Sequence, residues 1–151
     1  MPSEARMDGG DVLHFGDKFL VGHSSRTNKK AIEYLRKFLE KRGFDLHVIE
    51  VPQNSLHLIS ICTSPMPGTL LAPEGWFTLS DFPSDAEVLW IPSNEAYGAN
   101  VLPFENNVIV AQGYPTINTI LEERNLVLHP IDMSQFRAAD GSLTCLSLLY
   151  D

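Results

Sequence analysis

Two residues of the sequence, Cys145 and His57, have side chains that together can perform covalent catalysis. A cysteine thiolate attacks an electron-poor carbon, and an imidazole transfers the protons. Cys145 follows an Asp140-Gly141 turn, and the pattern predicts that it begins an apolar strand near a sheet edge, where clefts form. His57 lies between two leucines of another predicted strand. The alternative is that both side chains belong to the core, the cysteine as a small hydrophobic residue and the histidine with its hydrogen bonds satisfied.

Charged residues in two other segments are candidates for holding a ligand. Asp8-Gly9-Gly10-Asp11 is an acidic, glycine-rich approach to a predicted strand, where the backbone can come close to a ligand and Asp8 can hold a cation. Arg26 stands just before a predicted helix and can bind a carboxylate through its forked guanidinium. The alternatives are a simple turn for the first segment and a solvated surface charge for Arg26.

Metal and nucleotide sites have their own characteristic spacings, and the sequence lacks them. The five histidines and two cysteines are not arranged as paired metal ligands, so the sequence predicts no structural metal and no cofactor. The glycines near Asp8 match neither a phosphate-binding loop nor a dinucleotide fingerprint. If these residues form a site, we expect its chemistry to come from protein side chains.

The elements that must position these residues follow a repeated β-β-α-β order of roughly 45 residues. The first unit has strands over 11–15, 18–22 and 44–51 and a helix over 29–42, which is preceded by Thr27 or Asn28 as a cap and followed by Gly43. Later strands are predicted over 56–62, 69–72, 87–91, 100–104, 108–111, 126–129 and 143–149, with helices over 115–124 and 134–136. This order predicts an α/β (α+β) fold in a single domain over residues 1–151.

Composition and charge indicate which classes of protein this chain can belong to. The chain has 151 residues, 44% of them hydrophobic, and a formal charge of −8, which is typical of a soluble globular domain. Because nucleic-acid binding needs a basic surface, we expect no nucleic-acid partner. No apolar run approaches a membrane span and no signal peptide is recognisable, so we expect no membrane association. Two widely separated cysteines fit a reducing compartment, and we expect a cytoplasmic location.

Taken together and in this order, the motifs resemble those of the dimethylarginine dimethylaminohydrolases, within the wider guanidine-modifying group of arginine deiminases and amidinotransferases. The resemblance covers nearly the whole chain. It implies a pentein fold, in which five ββαβ modules surround a central channel that holds the active site. The matching segments are Asp8-Gly9-Gly10-Asp11-Val12-Leu13, Gly22, Ser25-Arg26-Thr27-Asn28, Leu56-His57-Leu58, Ile91-Pro92 to Ala99-Asn100, Asp140-Gly141 and Leu143-Thr144-Cys145.

The resemblance also implies a role for each matching residue. Cys145 would be the nucleophile, His57 the general acid and base, and Asp8 the acidic residue that orients the histidine or the substrate. Arg26 would hold the α-carboxylate of an amino acid. Ala139 and Asp140 would line the pocket before the nucleophile. The implied reaction converts dimethylarginine to citrulline and dimethylamine through a covalent thiouronium on the cysteine.

Members of the resembled family have a comparable length of chain before the Asp8 motif, and that half supplies further site residues. By the predicted elements, this chain holds fewer than three of the five modules, or about half of the propeller. We therefore expect a guanidino substrate whose site is completed by a complementary chain, an N-terminal half or a second copy. An arginine deiminase-type activity and a catalytically incomplete binding or regulatory relative stay open as alternatives.

Overall fold

Three small sheets follow one another along the chain in the computed structural model, which describes residues 3–148. Each sheet has three strands in chain order, so the chain forms three successive units rather than the fewer than three predicted. The strands are β1 Val12–Phe15, β2 Lys18–His23, β3 Asp45–Glu50, β4 Thr63–Met66, β5 Thr69–Pro73, β6 Glu87–Ile91, β7 Leu102–Phe104, β8 Asn107–Ala111 and β9 Val127–Ile131. The helices are α1 Lys29–Glu40, α2 Pro115–Glu122 and α3 Ser134–Ala138.

All three sheets share one pairing scheme. The first two strands of each form an antiparallel pair, and the third strand pairs in parallel with the second. A parallel pair needs a crossover connection, which α1 provides in the first unit and α2 in the third. In the second unit the crossover contains only the 3₁₀ helix Leu79–Asp81. The predicted β-β-α-β repeat is therefore confirmed, with the helix reduced to a turn in the middle unit.

The first crossover helix shows how local sequence sets its bounds. The Asn28 side chain accepts a hydrogen bond from the Ala31 amide and so caps the first turn of α1. Ile32 and Leu39 are buried on one face of the helix against the sheet. The helix ends at Glu40, two residues before the predicted end, because Gly43 adopts a positive φ of 80° and turns the chain back.

Two predicted strands are wrong. The apolar run 56–62 contains the 3₁₀ helix Leu58–Ser60, and the run 143–149 contains the 3₁₀ helix Thr144–Leu146, with residue 149 outside the described part of the chain. The backbone conformation of a short apolar run cannot be predicted from its sequence, since apolar residues are buried in strands and helices alike. Both segments have backbone groups that bond to buried polar side chains, Asp11 and Asn100, instead of a neighbouring strand.

The core lies between neighbouring sheets. One buried cluster joins Leu20 and Ile49 of the first sheet to Leu70 of the second, and another joins Ile91 of the second to Val108 of the third. The first and second units therefore bury apolar side chains against the unit that follows. None of the helices between residues 3 and 148 is long and apolar enough to cross a membrane.

A single carboxylate, Asp11, ties three segments together beneath the first sheet. Asp11 is completely buried and accepts three hydrogen bonds, at 2.6 Å from the Ser24 hydroxyl, 2.6 Å from the Thr27 hydroxyl and 2.9 Å from the Leu58 amide. Gly22 permits this close approach, because an added Cβ there would lie 2.9 Å from the Asp11 Oδ1. The loop after β2 and the segment that carries His57 are both fixed by this one side chain.

We expect Asp11→Ala to lower the free energy of unfolding by about 3 kcal/mol, because three donors, two of them buried, lose their acceptor. Chemical denaturation followed by circular dichroism measures the change. Asp17→Ala is the matched control, since the Asp17 side chain is 85% exposed, and we expect it to change stability by less than about 0.5 kcal/mol. Equal effects of the two substitutions would contradict the role of Asp11.

Candidate active site

A cleft of about 780 Å³ opens beside the segments that carry the predicted site residues. Its wall includes Arg26, Tyr97, Arg137, Asp140 and Ser142. The other residues that line it are Ser25, Gln53, Asn54, Ser55, Leu56, Ser60, Ile61, Trp76, Ser93, Asn94 and Ala96.

Asp8, His57 and Cys145 adjoin this wall without lining it themselves. Arg26 lies beside Asp8, Leu56 precedes His57 and Ser142 contacts Cys145. Each of the three residues therefore neighbours a residue that lines the cleft, although they come from distant parts of the sequence.

His57 is a buried histidine whose ring faces Asp8. Its Nε2 lies 3.0 Å from the Asp8 Oδ2, which is close enough for an ion pair, but the oxygen is off the direction of a good hydrogen bond. The ring rests against the backbone of Gly10, where an added Cβ would lie 2.7 Å from the His57 Cγ. A larger residue at position 10 would displace the His57 ring, so this position of the Asp8 motif requires glycine for steric reasons.

The Asp8 carboxylate is held from several sides and kept ionised. Its Oδ1 accepts a hydrogen bond from the Gly10 amide at 3.2 Å, and this contact is the main cause that lowers the pKa of Asp8 from its usual 3.8. Partial burial opposes the shift, while His57 and Arg26 lower the pKa further. The Arg26 Nη1 lies 3.7 Å from the same Oδ2 that faces the histidine. A negative charge is therefore present beside the imidazole at neutral pH.

Cys145 lies in the 3₁₀ helix Thr144–Leu146, not at the start of a strand as predicted, and its side chain is exposed. Its Sγ is 3.2 Å from the Ser142 hydroxyl, and its amide donates to the Ser142 carbonyl. The prediction of a turn before the cysteine is confirmed, since Asp140 adopts a positive φ of 58°. Its neighbour Ala139 is exposed and does not line the cleft, whereas Asp140 does.

The other cysteine is chemically different. Cys62 is completely buried, and this burial raises the pKa of its thiol to about 12. At neutral pH it stays protonated and inert, so Cys145 is the accessible thiol of the two.

Asn100 connects the segment of His57 to the segment of Cys145. This side chain is almost completely buried, donates to the Ile59 carbonyl at 2.5 Å and to the Thr144 hydroxyl at 2.7 Å, and accepts from the Thr144 amide at 3.0 Å. Ile59 lies two residues after the histidine, and Thr144 immediately precedes the cysteine. Asn100 thereby fixes both segments relative to each other.

Sequence reasoning assigned Asn100 no role. Its only signal was its place at the end of the Ile91-Pro92 to Ala99-Asn100 segment that resembles a family loop. A buried amide cannot be distinguished from a turn residue by its type alone.

A second group of polar residues, also missed from the sequence, surrounds the Asp140 turn. The Tyr97 hydroxyl donates to the Gly141 carbonyl at 2.8 Å, and burial raises the pKa of this tyrosine. The Arg137 guanidinium lies 5.0 Å above the Tyr97 ring and donates to the Tyr114 hydroxyl at 2.8 Å. Within residues 3–148, no group of three or more metal-ligating side chains occurs.

Two proteins that are similar to the chain in sequence share one enzyme name. No protein-family model matches the chain. The chain is 33% identical to the N(G),N(G)-dimethylarginine dimethylaminohydrolase of Streptomyces coelicolor over 96% of its length, which corresponds to 56% of that protein. It is 29% identical to the enzyme of the same name from Pseudomonas aeruginosa over 95% of its length, again 56% of the relative.

Solved structures agree with these matches. A cysteine-to-serine variant of the Pseudomonas aeruginosa dimethylarginine dimethylaminohydrolase, complexed with citrulline, superposes with a TM-score of 0.89 at 28% identity over 98% of this chain and 57% of that one. An amidinotransferase from Microseira wollei gives a TM-score of 0.86 at 23% identity, which shows a shared fold alone. The chain is similar in sequence and fold to the dimethylarginine dimethylaminohydrolases, contains ββαβ modules of the pentein type, and spans about half of their length.

Proposed function

We propose that the chain carries the nucleophile-bearing half of a hydrolase that cleaves a guanidino C–N bond of N-omega-methylated arginine. The products from dimethylarginine would be citrulline and dimethylamine. The observation that carries the proposal is the match over 98% of the chain to a dimethylarginine dimethylaminohydrolase complexed with citrulline. A cytoplasmic location and a reaction without metal or cofactor stay predictions from the sequence.

The geometry around His57 supports its role as acid and base. Its ring is buried against Gly10, and Nε2 faces an Asp8 carboxylate that is kept ionised. A carboxylate beside an imidazole stabilises the protonated ring that forms when the ring accepts a proton. Asp8 is therefore proposed to orient the histidine and to support its charge.

Cys145 is proposed as the nucleophile because it is the accessible thiol and lies on the segment that Asn100 ties to the histidine. Its thiolate attacks the guanidinium carbon and forms a tetrahedral adduct. His57 protonates the departing dimethylamine, so the C–N bond breaks and a thiouronium remains on the sulfur. A water molecule that loses its proton to His57 then attacks this carbon, the C–S bond breaks, and citrulline is released.

The repeat of the fold supports the proposal that further polypeptide completes the site. Ile49, Ile91 and Ile131 hold corresponding places near the ends of the three parallel ladders, opposite Gly22, Pro73 and Ala111. The first two isoleucines are buried against the following unit, whereas Ile131 is 44% exposed. We propose that a further ββαβ unit covers Ile131, supplied by a longer chain, a complementary chain or a second copy.

Two other functions compete with this one. One is a binding or regulatory relative of these enzymes. It would retain a guanidino ligand or a partner without turnover. An arginine deiminase-type activity uses the same chemistry on unmethylated arginine, and the arginine dihydrolase structures that superpose are 18–19% identical, which supports the shared fold only.

We expect Cys145→Ser to lower the rate of citrulline formation from asymmetric dimethylarginine at least about 10³-fold, because a serine hydroxyl is not ionised at neutral pH. The assay measures the citrulline formed by the chain alone. It is repeated with the chain mixed with a polypeptide that corresponds to the half of a relative that this chain does not match. Cys62→Ala is the control for general loss of a cysteine, with circular dichroism to confirm that each variant is folded.

Turnover by Cys145→Ser equal to that of the wild type would contradict the proposed nucleophile. Dimethylarginine that binds but is never converted, under both conditions, would instead favour the binding relative. Conversion of arginine in preference to dimethylarginine would favour the deiminase-type reaction.

The lowered pKa of Asp8 predicts a specific pH dependence of stability. A carboxyl group with a lower pKa in the folded state stabilises the fold above its unfolded pKa of about 3.9, and this contribution is lost as the pH falls through the folded pKa. We expect the stability difference between wild type and Asp8→Asn to be constant above about pH 5 and to shrink below about pH 4. Urea denaturation from pH 2.5 to 6 measures it, and a difference that does not vary with pH would contradict the shift.

A further inference from the structure

Ser142 is a polar side chain in direct contact with the sulfur of Cys145. Its hydroxyl oxygen lies 3.2 Å from the Cys145 Sγ, which is close enough for a hydrogen bond. The serine is almost completely buried, whereas the cysteine is exposed. Within residues 3–148 the sulfur is the one hydrogen-bond partner of this hydroxyl. A buried hydroxyl is thus paired with an accessible thiol.

The backbone brings these two side chains together. The Cys145 amide donates to the Ser142 carbonyl at 3.1 Å, and the next two amides make the same bonds to carbonyls three positions earlier. In a 3₁₀ turn of this kind, side chains three positions apart eclipse one another. The hydroxyl and the sulfur therefore lie on the same side of the turn.

The turn is held on both sides of the serine. The Tyr97 hydroxyl donates to the Gly141 carbonyl at 2.8 Å, and the Asn100 side chain accepts from the Thr144 amide at 3.0 Å. A dipole that is fixed before the reaction stabilises a charge without having to reorganise. The Ser142 hydroxyl is therefore preorganised beside the sulfur.

The direction of the hydrogen bond depends on the ionisation of the sulfur. A thiol can donate its proton to the Ser142 oxygen or accept the proton of the hydroxyl, but a thiolate can only accept. Once Cys145 is ionised, the hydroxyl is the donor of this contact. Hydrogen bonds to an ionised acceptor are stronger than those between neutral groups, so the contact favours the thiolate over the thiol.

We propose that Ser142 is a further catalytic residue, whose hydroxyl donates a hydrogen bond to the Cys145 thiolate and increases the fraction of the cysteine that is ready to attack. The inference rests on the proposed function, because it assigns a group to the same nucleophile. The serine keeps its own proton, and the proton lost by the thiol does not pass to it. The same hydrogen bond stabilises the thiolate again when the C–S bond breaks and citrulline departs.

The hydrogen bond has two opposite effects on the reactivity of the sulfur. Below the midpoint of ionisation it raises the thiolate fraction, about tenfold if the midpoint falls by about one pH unit. It also makes the thiolate less nucleophilic, by about threefold for the same change. The gain is larger at neutral pH, whereas only the loss remains where the sulfur is fully ionised.

The rate of Cys145 alkylation by iodoacetamide tests the proposal in the full chain, measured by mass spectrometry from pH 5 to 10. The proteins are the wild type, Ser142→Ala and Ser147→Ala, each confirmed as folded by circular dichroism. Ser147→Ala is the matched control, because the Ser147 hydroxyl belongs to the same turn but donates to the Leu143 carbonyl.

The other titratable groups around this turn are the same in all three proteins, so a change in the profile is due to the serine. They are Tyr97, Arg137 and Asp140, with His57 and Asp8 added by the proposed function.

We expect Ser142→Ala to be alkylated about threefold more slowly than the wild type at pH 7 and about threefold faster at the high-pH plateau, so that the two profiles cross. Ser147→Ala should follow the wild type. Identical profiles for the wild type and Ser142→Ala would overturn the proposal. So would a change in the same direction at both pH values, which would mean that the serine controls only access to the sulfur, or an equal crossing in Ser147→Ala.

Alkylation needs no guanidino substrate, which separates this proposal from the proposed function. Profiles that cross, in a protein that forms no citrulline from asymmetric dimethylarginine alone or with a complementary polypeptide, would support the role of Ser142 and contradict the proposed function. Citrulline formation without a crossing would support the proposed function and overturn the role of Ser142.

Discussion

One half of the site depends on one completely buried side chain, the Asp11 carboxylate. A carboxylate without contact to water is tolerated only when hydrogen bonds replace its hydration, and Asp11 receives them from Ser24, Thr27 and Leu58. Each donor belongs to a segment that the site needs, since Ser24 and Thr27 flank Arg26, and Leu58 follows His57. The Thr27 hydroxyl also accepts from the Asp8 amide at 3.1 Å. The hydrogen bonds of Asp11 and Thr27 thereby fix the segments of three proposed site residues, which are Asp8, Arg26 and His57.

Asn100 performs the same task for the other half of the site. It binds the backbone near His57 and the residue before Cys145, in segments that have no neighbouring strand to satisfy their polar groups. The site is therefore built from short 3₁₀ turns whose backbone groups form hydrogen bonds with buried side chains, and the sheets surround these turns. This arrangement explains why the residues proposed for catalysis stand where the sheets end and not within their strands.

Sequence patterns predicted the sheets well and the site segments poorly. The 87–91 strand and the repeat of antiparallel then parallel pairing follow from alternation and turn residues, which act locally. The segments around His57 and Cys145 were predicted as strands because their apolar residues are compatible with either conformation, and the deciding contacts with Asp11 and Asn100 come from 47 and 44 positions away. Arg137 was missed for a similar reason, since only the folded chain shows its place above Tyr97.

The central claim is that His57 and Cys145 act in one site. The most direct test is the rate of Cys145 alkylation by iodoacetamide, measured by mass spectrometry from pH 5 to 10 in the wild type, His57→Gln and Asn100→Ala. His129→Gln is the control, because that histidine is exposed on β9 and bonds to Asn107. The account predicts that His57→Gln and Asn100→Ala change the pH profile of alkylation, because the imidazole no longer assists the thiol, and that the control does not. A profile that is the same in all four proteins would show that the histidine and the cysteine are independent and would contradict the account.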